Sequence, residues 1–163
     1  MKLDHTLTYD GTPEAVFTIL SDPDYVEEKC WATGATEAGV SVEEDGDDVV
    51  IRTVRTYPAQ VPSYVRTVVG DSITADQTET WGPPAEDGSR DGTVAIDFTG
   101  TPMKVRGTLR LEAGDGEALT TMVVSGDLKA GIPFVGGKIE GFTSGQLVRA
   151  MNKEAEVANA HLV

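Results

Sequence analysis

The sequence predicts an α+β fold in which a curved antiparallel sheet of seven strands wraps around one long C-terminal helix. Most segments between residues 2 and 128 alternate apolar and polar side chains, the period of two that is typical of half-buried strands. The segment from Phe134 to Val163 contains no proline and is long enough to span a domain as one helix. A large curved sheet must cover its concave face, and this helix is the element that can do so.

Two short helices are predicted directly after the first strand, residues 2–9. Thr12-Pro13-Glu14 supplies a side chain that caps a helix N-terminus, a proline suited to the first helical position and an acid in the first turn. Asp22-Pro23-Asp24 repeats the same signal. A strand followed by two capped helices is therefore the expected beginning of the fold.

The remaining strands are predicted at residues 36–42, 49–57, 72–81, 93–99, 103–111 and 119–128. The pair Asp45-Gly46 favours a tight hairpin between the first two of these. Between residues 58 and 70, Val61, Val65 and Val68 recur at helical spacing. This segment is predicted to be a short amphipathic helix or an ordered loop, which covers either a cavity or a sheet edge.

Length and composition indicate one domain over residues 1–163, large enough to bury a core. No run approaches the roughly 18 apolar residues of a membrane span. Lys2 and Asp4 stand where a signal peptide would need an apolar stretch, which predicts a cytoplasmic protein. The single Cys30 excludes an internal disulfide and a cysteine-only metal site, and we expect no metal and no cofactor.

The chain is strongly acidic, with 27 Asp and Glu against 13 Lys and Arg and a net charge of -14. We expect such a surface to carry no basic patch that could release counterions from a polyanion. We therefore expect neither nucleic acid nor anionic lipid headgroups as partners, and we assign the charge to solubility or to a host whose proteins are generally acidic.

The order of elements resembles the helix-grip fold of the START-like superfamily, which includes polyketide cyclases and lipid-transfer domains. The resemblance rests on Thr12-Pro13-Glu14-Ala15-Val16-Phe17, on Ser21-Asp22-Pro23, and on Gly131-Ile132-Pro133 through Gly141-Phe142 at the entry to the last helix. With Tyr57-Pro58-Ala59 and the strand that ends at Trp81, the chain is most similar to an uncharacterised bacterial branch. The resemblance implies an elongated apolar cavity between sheet and helix, and a small hydrophobic molecule as the partner.

Apolar residues of the long helix and of the strands are the candidate lining of that cavity. They are Trp81, Phe98, Leu109, Phe134, Ile139, Phe142, Leu147 and Met151. Gly136, Gly137, Gly141 and Gly145 disfavour a regular helix at its entry. We expect these glycines to permit close approach to the sheet or a movement that opens the cavity.

Two polar residues are also candidates for the cavity. Arg52 and Arg55 lie on opposite faces of one strand, and each shares its face with apolar side chains, so one arginine must lie on the inner face. We take Arg52 as the candidate, with a position on the outer face as the alternative. Glu79 shares a face with Ile73 and Trp81 and is the candidate carboxylate.

These residues support three functions. The first is binding of a lipid-like or aromatic, polyketide-like molecule. The second is an enzyme of the cyclase or aromatase type, in which Glu79, His5 or Arg52 would act as acid or base. The third is an interaction module whose helix fills the concave face without a ligand. Since the sequence contains no catalytic motif, we expect binding rather than catalysis.

Overall fold

A computed structural model describes residues 1–116 and 118–162. The elements, in chain order, are β1 (Lys2–Tyr9), α1 (Pro13–Leu20), α2 (Pro23–Ala32), β2 (Glu37–Asp45), β3 (Asp48–Pro58), α3 (Ser63–Val69), β4 (Ser72–Trp81), β5 (Arg90–Phe98), β6 (Lys104–Ala113), β7 (Thr120–Lys129) and α4 (Gly136–His161). The seven strands form one antiparallel sheet in the order β1-β7-β6-β5-β4-β3-β2. This architecture confirms the predicted fold class; Val163, the predicted end of the helix, lies outside the described residues.

The signals that begin α1 and α2 work as the sequence predicts. The Thr12 hydroxyl accepts a hydrogen bond from the Ala15 amide at 3.2 Å, and the Asp22 carboxylate accepts one from the Asp24 amide at 2.9 Å. A proline follows each of these caps, where its missing N–H costs nothing. Each helix thus begins at a defined residue, and together the two helices cover one end of the sheet.

A pair of facing glycines marks close backbone approach in the sheet. Gly107 of β6 lies directly opposite Gly126 of β7. A Cβ atom on Gly107 would lie 2.6 Å from the Ser125 carbonyl oxygen, and one on Gly126 would lie 2.7 Å from the Arg106 carbonyl oxygen. Only glycine fits at both positions, and glycines of this kind allow a sheet to bend sharply.

The glycines at the entry to α4 have no such packing role. A Cβ atom on Gly137, Gly141 or Gly145 would meet nothing within 4 Å. The expectation that they permit close approach to the sheet is therefore wrong at these three positions, because the helix presents them to open space.

The core consists of two apolar clusters under α4. The first joins α1, α2 and the C-terminal half of α4 to one end of the sheet, with the Trp81 ring edge-on to Phe17 at 5.7 Å. The second joins α3 and the N-terminal half of α4 to the other end, around Phe98 and Ile139. The two clusters do not fill the whole space between the sheet and α4, and a cavity remains there.

The strand β2 forms one edge of the sheet and pairs with β3 alone. It carries Glu37, Glu43, Glu44 and Asp45 and ends in a two-residue hairpin with Gly46 at a φ of 62°. A helix packs against each edge strand, α2 against β2 and α4 against β1. None of the helices in the described residues is both long and apolar enough to cross a membrane.

Candidate functional site

A cavity of about 420 Å³ lies between the concave face of the sheet and α4. This volume falls in the range of roughly 300–1,000 Å³ that is usual for small-molecule sites. One wall, which we call the apolar wall, is built by β1, α3, β5, the residue before β6, β6 itself and α4. Its side chains include Leu3, Val65, Ile96, Phe98, Met103, Val105, Leu109, Phe142, Leu147 and Met151.

The opposite wall, which we call the polar wall, holds four charged side chains from four elements. Lys29 comes from α2, Arg55 from β3, Glu79 from β4 and Glu154 from α4. The Lys29 ammonium lies 3.0 Å from a Glu154 carboxylate oxygen and 3.8 Å from one of Glu79. The Arg55 guanidinium lies 3.5 Å from the same Glu154 oxygen. Two positive and two negative charges therefore cancel inside the molecule.

Hydrogen bonds fix the orientation of these groups. Arg55 donates to the Thr33 hydroxyl at 3.2 Å and to the Gln77 side-chain oxygen Oε1 at 3.3 Å. The Gln77 amide donates to one Glu79 oxygen at 3.0 Å, and the Trp81 indole N–H donates to the other at 3.1 Å. The Glu79 carboxylate is thus held in one position, with a packed aromatic ring behind it.

The charged state of the polar wall is maintained by its pairing. Burial alone would raise the pKa of Glu154, but Lys29 and Arg55 outweigh it and hold that pKa below its usual range. Burial alone would lower the pKa of Lys29, but Glu154 and Glu79 outweigh it and raise that pKa. Both groups are consequently ionised at neutral pH although their side chains are only 14% and 8% exposed.

Two buried tyrosines complete the polar wall. The Tyr25 hydroxyl donates to the Glu154 main-chain carbonyl at 2.9 Å. Tyr9 is 2% exposed and lines the cavity, and its hydroxyl has no hydrogen-bond partner among the described residues. Burial raises the pKa of both phenols far above the usual value, with neighbouring phenol and carboxylate groups adding to the effect. Both hydroxyls therefore stay protonated and can donate.

Six of the ten predicted site residues line the cavity, namely Glu79, Phe98, Leu109, Phe142, Leu147 and Met151. Trp81 and Ile139 are fully buried in the two apolar clusters, outside the cavity wall. Phe134 is fully exposed in the loop before α4, where its backbone adopts a φ of 69°.

Arg52 is corrected to the outer face, the alternative left open by the sequence. Its guanidinium pairs with Asp76 at 2.8 Å in solvent. Arg55 is the arginine on the inner face, since it shares that face with the buried Ile51 and Thr53. His5 does not line the cavity, and its Nε2 atom lies 2.7 Å from the Asn152 side-chain oxygen.

Sequence reasoning missed Lys29, Glu154 and the inward position of Arg55, although spacing could have found all three. Glu154 follows Leu147 and Met151 at i+7 and i+3, on the same helix face. Lys29 lies four residues after Tyr25 on the buried face of α2. A search for apolar residues at helical or strand spacing leaves out charged residues on the same face, and Lys29, Arg55 and Glu154 were missed for this reason.

A curved sheet that grips a long helix across a cavity defines the START-like, helix-grip class of proteins. The Zhui aromatase/cyclase from Streptomyces sp. R1128 has this fold with a TM-score of 0.62 and 14% identity, over 99% of this chain and 93% of that one. A START superfamily protein from Mycobacterium smegmatis has it with a TM-score of 0.52 and 16% identity, over 95% and 97% of the two chains. At such identities the likeness is one of fold.

Within this class, the chain belongs to the family described as protein of unknown function DUF2505, whose model matches residues 4–162. The uncharacterized protein Rv0481c of Mycobacterium tuberculosis is 26% identical over 162 residues, covering 94% of this chain and 91% of the relative. The family assignment agrees with the resemblance to an uncharacterised bacterial branch of START-like proteins.

Proposed function

We propose that this protein binds a small, mostly apolar molecule in the cavity between the sheet and α4. The observation that carries the proposal is a cavity of about 420 Å³ with apolar side chains on one wall and oriented polar groups on the other. Sites for small molecules combine these two features, because apolar contact gives affinity and a few fixed polar groups give orientation.

The polar wall favours a ligand that carries an uncharged hydrogen-bonding group, such as a hydroxyl or a carbonyl. The four charges of Lys29, Arg55, Glu79 and Glu154 already cancel, so a ligand with its own charge would be buried without a counterion at considerable cost. The Lys29 ammonium and the Tyr9 hydroxyl can each donate to a carbonyl or hydroxyl oxygen. The Glu79 carboxylate can accept from a hydroxyl.

Native mass spectrometry of protein purified from its own host tests the proposal. We expect a co-purifying molecule that organic solvent extracts. Ala75 lines the cavity beside Phe98, its partner in the neighbouring strand β5. Ala75→Phe should fill the cavity and abolish the co-purifying mass. Val123→Phe, on the exposed outer face of β7, is the matched control and should retain it. Equal retention by both variants would contradict binding in this cavity.

A cyclase-like enzyme is the second candidate, because Glu79 and Lys29 lie 3.8 Å apart on the cavity wall. With a linear poly-β-ketone, the Glu79 carboxylate would take a proton from a carbon between two carbonyls. That carbon would then attack a further carbonyl of the chain, and Lys29 would protonate the resulting alkoxide. The attack closes the ring, and loss of water from the resulting alcohol would give a carbon–carbon double bond in it.

Glu79→Gln separates the two candidates, since the amide keeps the shape of the carboxylate and removes the base. Ring formation by the natural protein that is lost in this variant would favour the enzyme. Retention of the co-purifying molecule by the natural protein, with no conversion of the poly-β-ketone, would favour the binding protein.

A further inference from the structure

The loop between β7 and α4, residues 130–135, places an aromatic side chain in solvent. Phe134 is fully exposed and adopts a φ of 69°, a left-handed conformation that bulky residues rarely take. Val135 and Met1 beside it are also exposed, and Met1, Lys129 and Phe134 border the same surface depression. The described chain has five exposed large hydrophobic residues, and three of them, Met1, Phe134 and Val135, lie at this end. The other two are Trp31 and Val123.

Four of the six lysines surround this loop. Lys2, Lys104, Lys129 and Lys138 are all exposed, and none of them makes a salt bridge with the described residues, although the chain contains 27 acids. Lys104 and Lys129 lie directly opposite each other across β6 and β7, an arrangement of like charges that destabilises a sheet. We call the loop and these four lysines the basic tip.

Two acids next to the basic tip are engaged elsewhere. Glu140 accepts a hydrogen bond from the Ala130 amide at 3.0 Å and lies 3.4 Å from the N-terminal amino group. Asp97, opposite Lys104 in β5, pairs with Arg106 at 2.8 Å. Asp127, directly opposite Lys2 in β7, lowers the net charge of the tip, and the remaining excess of positive charge stays available to an external anion.

We propose that the basic tip docks on an anionic lipid surface, with Phe134 among the acyl chains and the lysines at the headgroups. Exposed aromatic residues flanked by lysines bind such surfaces through apolar insertion and electrostatic attraction together. Phe134 is fully exposed at the border of the depression, and a side chain that projects in this way suits insertion into a fluid layer. The remaining surface is strongly acidic, so this end alone can approach the layer.

The proposal revises the sequence-based exclusion of anionic headgroups. That exclusion rests on the expectation that the surface carries no basic patch, whereas folding brings together lysines from β1, β6, β7 and α4. No membrane-spanning segment is needed, since the tip would lie at the surface of the layer.

The basic tip adjoins the side of the cavity formed by α3 and α4. The Lys138 ammonium lies 4.3 Å from the centre of the Tyr64 ring in α3, and the next residue, Val65, lines the cavity. Phe142, less than two turns beyond Lys138 in α4, also lines it. A docked molecule would hold this side of the cavity next to the acyl chains, where an apolar ligand would be exchanged.

Co-sedimentation with vesicles tests the docking directly. We expect the natural protein to bind vesicles of equal parts phosphatidylcholine and phosphatidylglycerol, and not vesicles of phosphatidylcholine alone. Phe134→Ala should weaken binding roughly tenfold, since it removes the inserted side chain. Lys104→Gln and Lys129→Gln should each weaken vesicle binding about fivefold. Added salt should weaken vesicle binding by the natural protein to a similar extent.

Two matched controls separate docking from general effects. Trp31→Ala removes another exposed aromatic residue, and Lys153→Gln removes an exposed lysine remote from the tip. Both should bind as the natural protein does. Equal binding to the two kinds of vesicle, or full binding by Phe134→Ala, would overturn the proposal. Self-association that depends on Phe134 without vesicle binding would also overturn it, in favour of contact between two copies. Loss of docking with retention of the co-purifying molecule would leave the cavity proposal intact.

Discussion

Substitution of Glu154 by Gln should destabilise the protein strongly, because Glu154 is the acid that holds both buried cations. Its carboxylate lies within 3.5 Å of Lys29 and Arg55, whose side chains are 8% and 5% exposed. The amide keeps the size of the carboxylate but removes its charge. Lys29 would then have Glu79 at 3.8 Å as its remaining acidic neighbour in the polar wall.

The expected loss is about 3–5 kcal/mol, the cost of leaving a buried charge without its partner. A loss of 1 kcal/mol lowers Tm by roughly 2–4 °C in a chain of this length, so Tm should fall by roughly 6–20 °C. Asp76→Asn makes the same carboxylate-to-amide change in the pair with Arg52, whose side chain is 54% exposed. That control should cost less than about 1 kcal/mol.

Thermal and urea unfolding followed by circular dichroism measure both variants under identical conditions. A double variant, Lys29→Met with Glu154→Gln, should recover part of the loss, because it removes the cation that Glu154→Gln leaves unpaired. Equal destabilisation by Glu154→Gln and Asp76→Asn would refute the reasoning, since it would mean that the polar wall is as well solvated as the outer face of the sheet.

Three further predictions concern pH and glycine. Because the pKa of Glu154 in the folded protein lies below the ordinary value of 4.5, its contribution is complete above that pH and is lost as the pH falls. The stability difference between the natural protein and Glu154→Gln should therefore narrow in acid, and a constant difference in urea unfolding from pH 7 to pH 3 would contradict this. Gly107→Ala should cost about 1–3 kcal/mol in urea unfolding, because its Cβ atom would overlap the facing strand, whereas Gly39→Ala, with open space around it, should be nearly neutral. Gly145→Ala should raise the free energy of unfolding by about 1 kcal/mol, since the site is exposed and helical, and an unchanged or lower value would indicate a contact that the structure does not show.

The fold could be predicted from the sequence because its signals are local. Alternation identifies each strand, and Thr12-Pro13 and Asp22-Pro23 begin α1 and α2 where the structure has them. The two-residue turn at Gly46 follows from one Asp-Gly pair. Each of these signals depends on neighbouring residues, and no contact distant in sequence is needed to interpret them.

The site could be predicted only in part, because its polar wall joins residues that are distant in sequence. Parity along β4 placed Glu79 on the inner face correctly, but parity along β3 could not distinguish Arg52 from Arg55. The distinction depends on Lys29 and Glu154, which make an inner arginine acceptable by pairing with it. Phe134 fits the apolar pattern of α4, yet the helix begins two residues later.

The acidic edge strand β2 opposes edge-to-edge pairing between two copies of this protein. An unpaired edge offers its backbone groups to any other strand, and carboxylates along it keep a second copy away. The high acidity of the chain thus protects it from aggregation at the edge where an open sheet is most vulnerable.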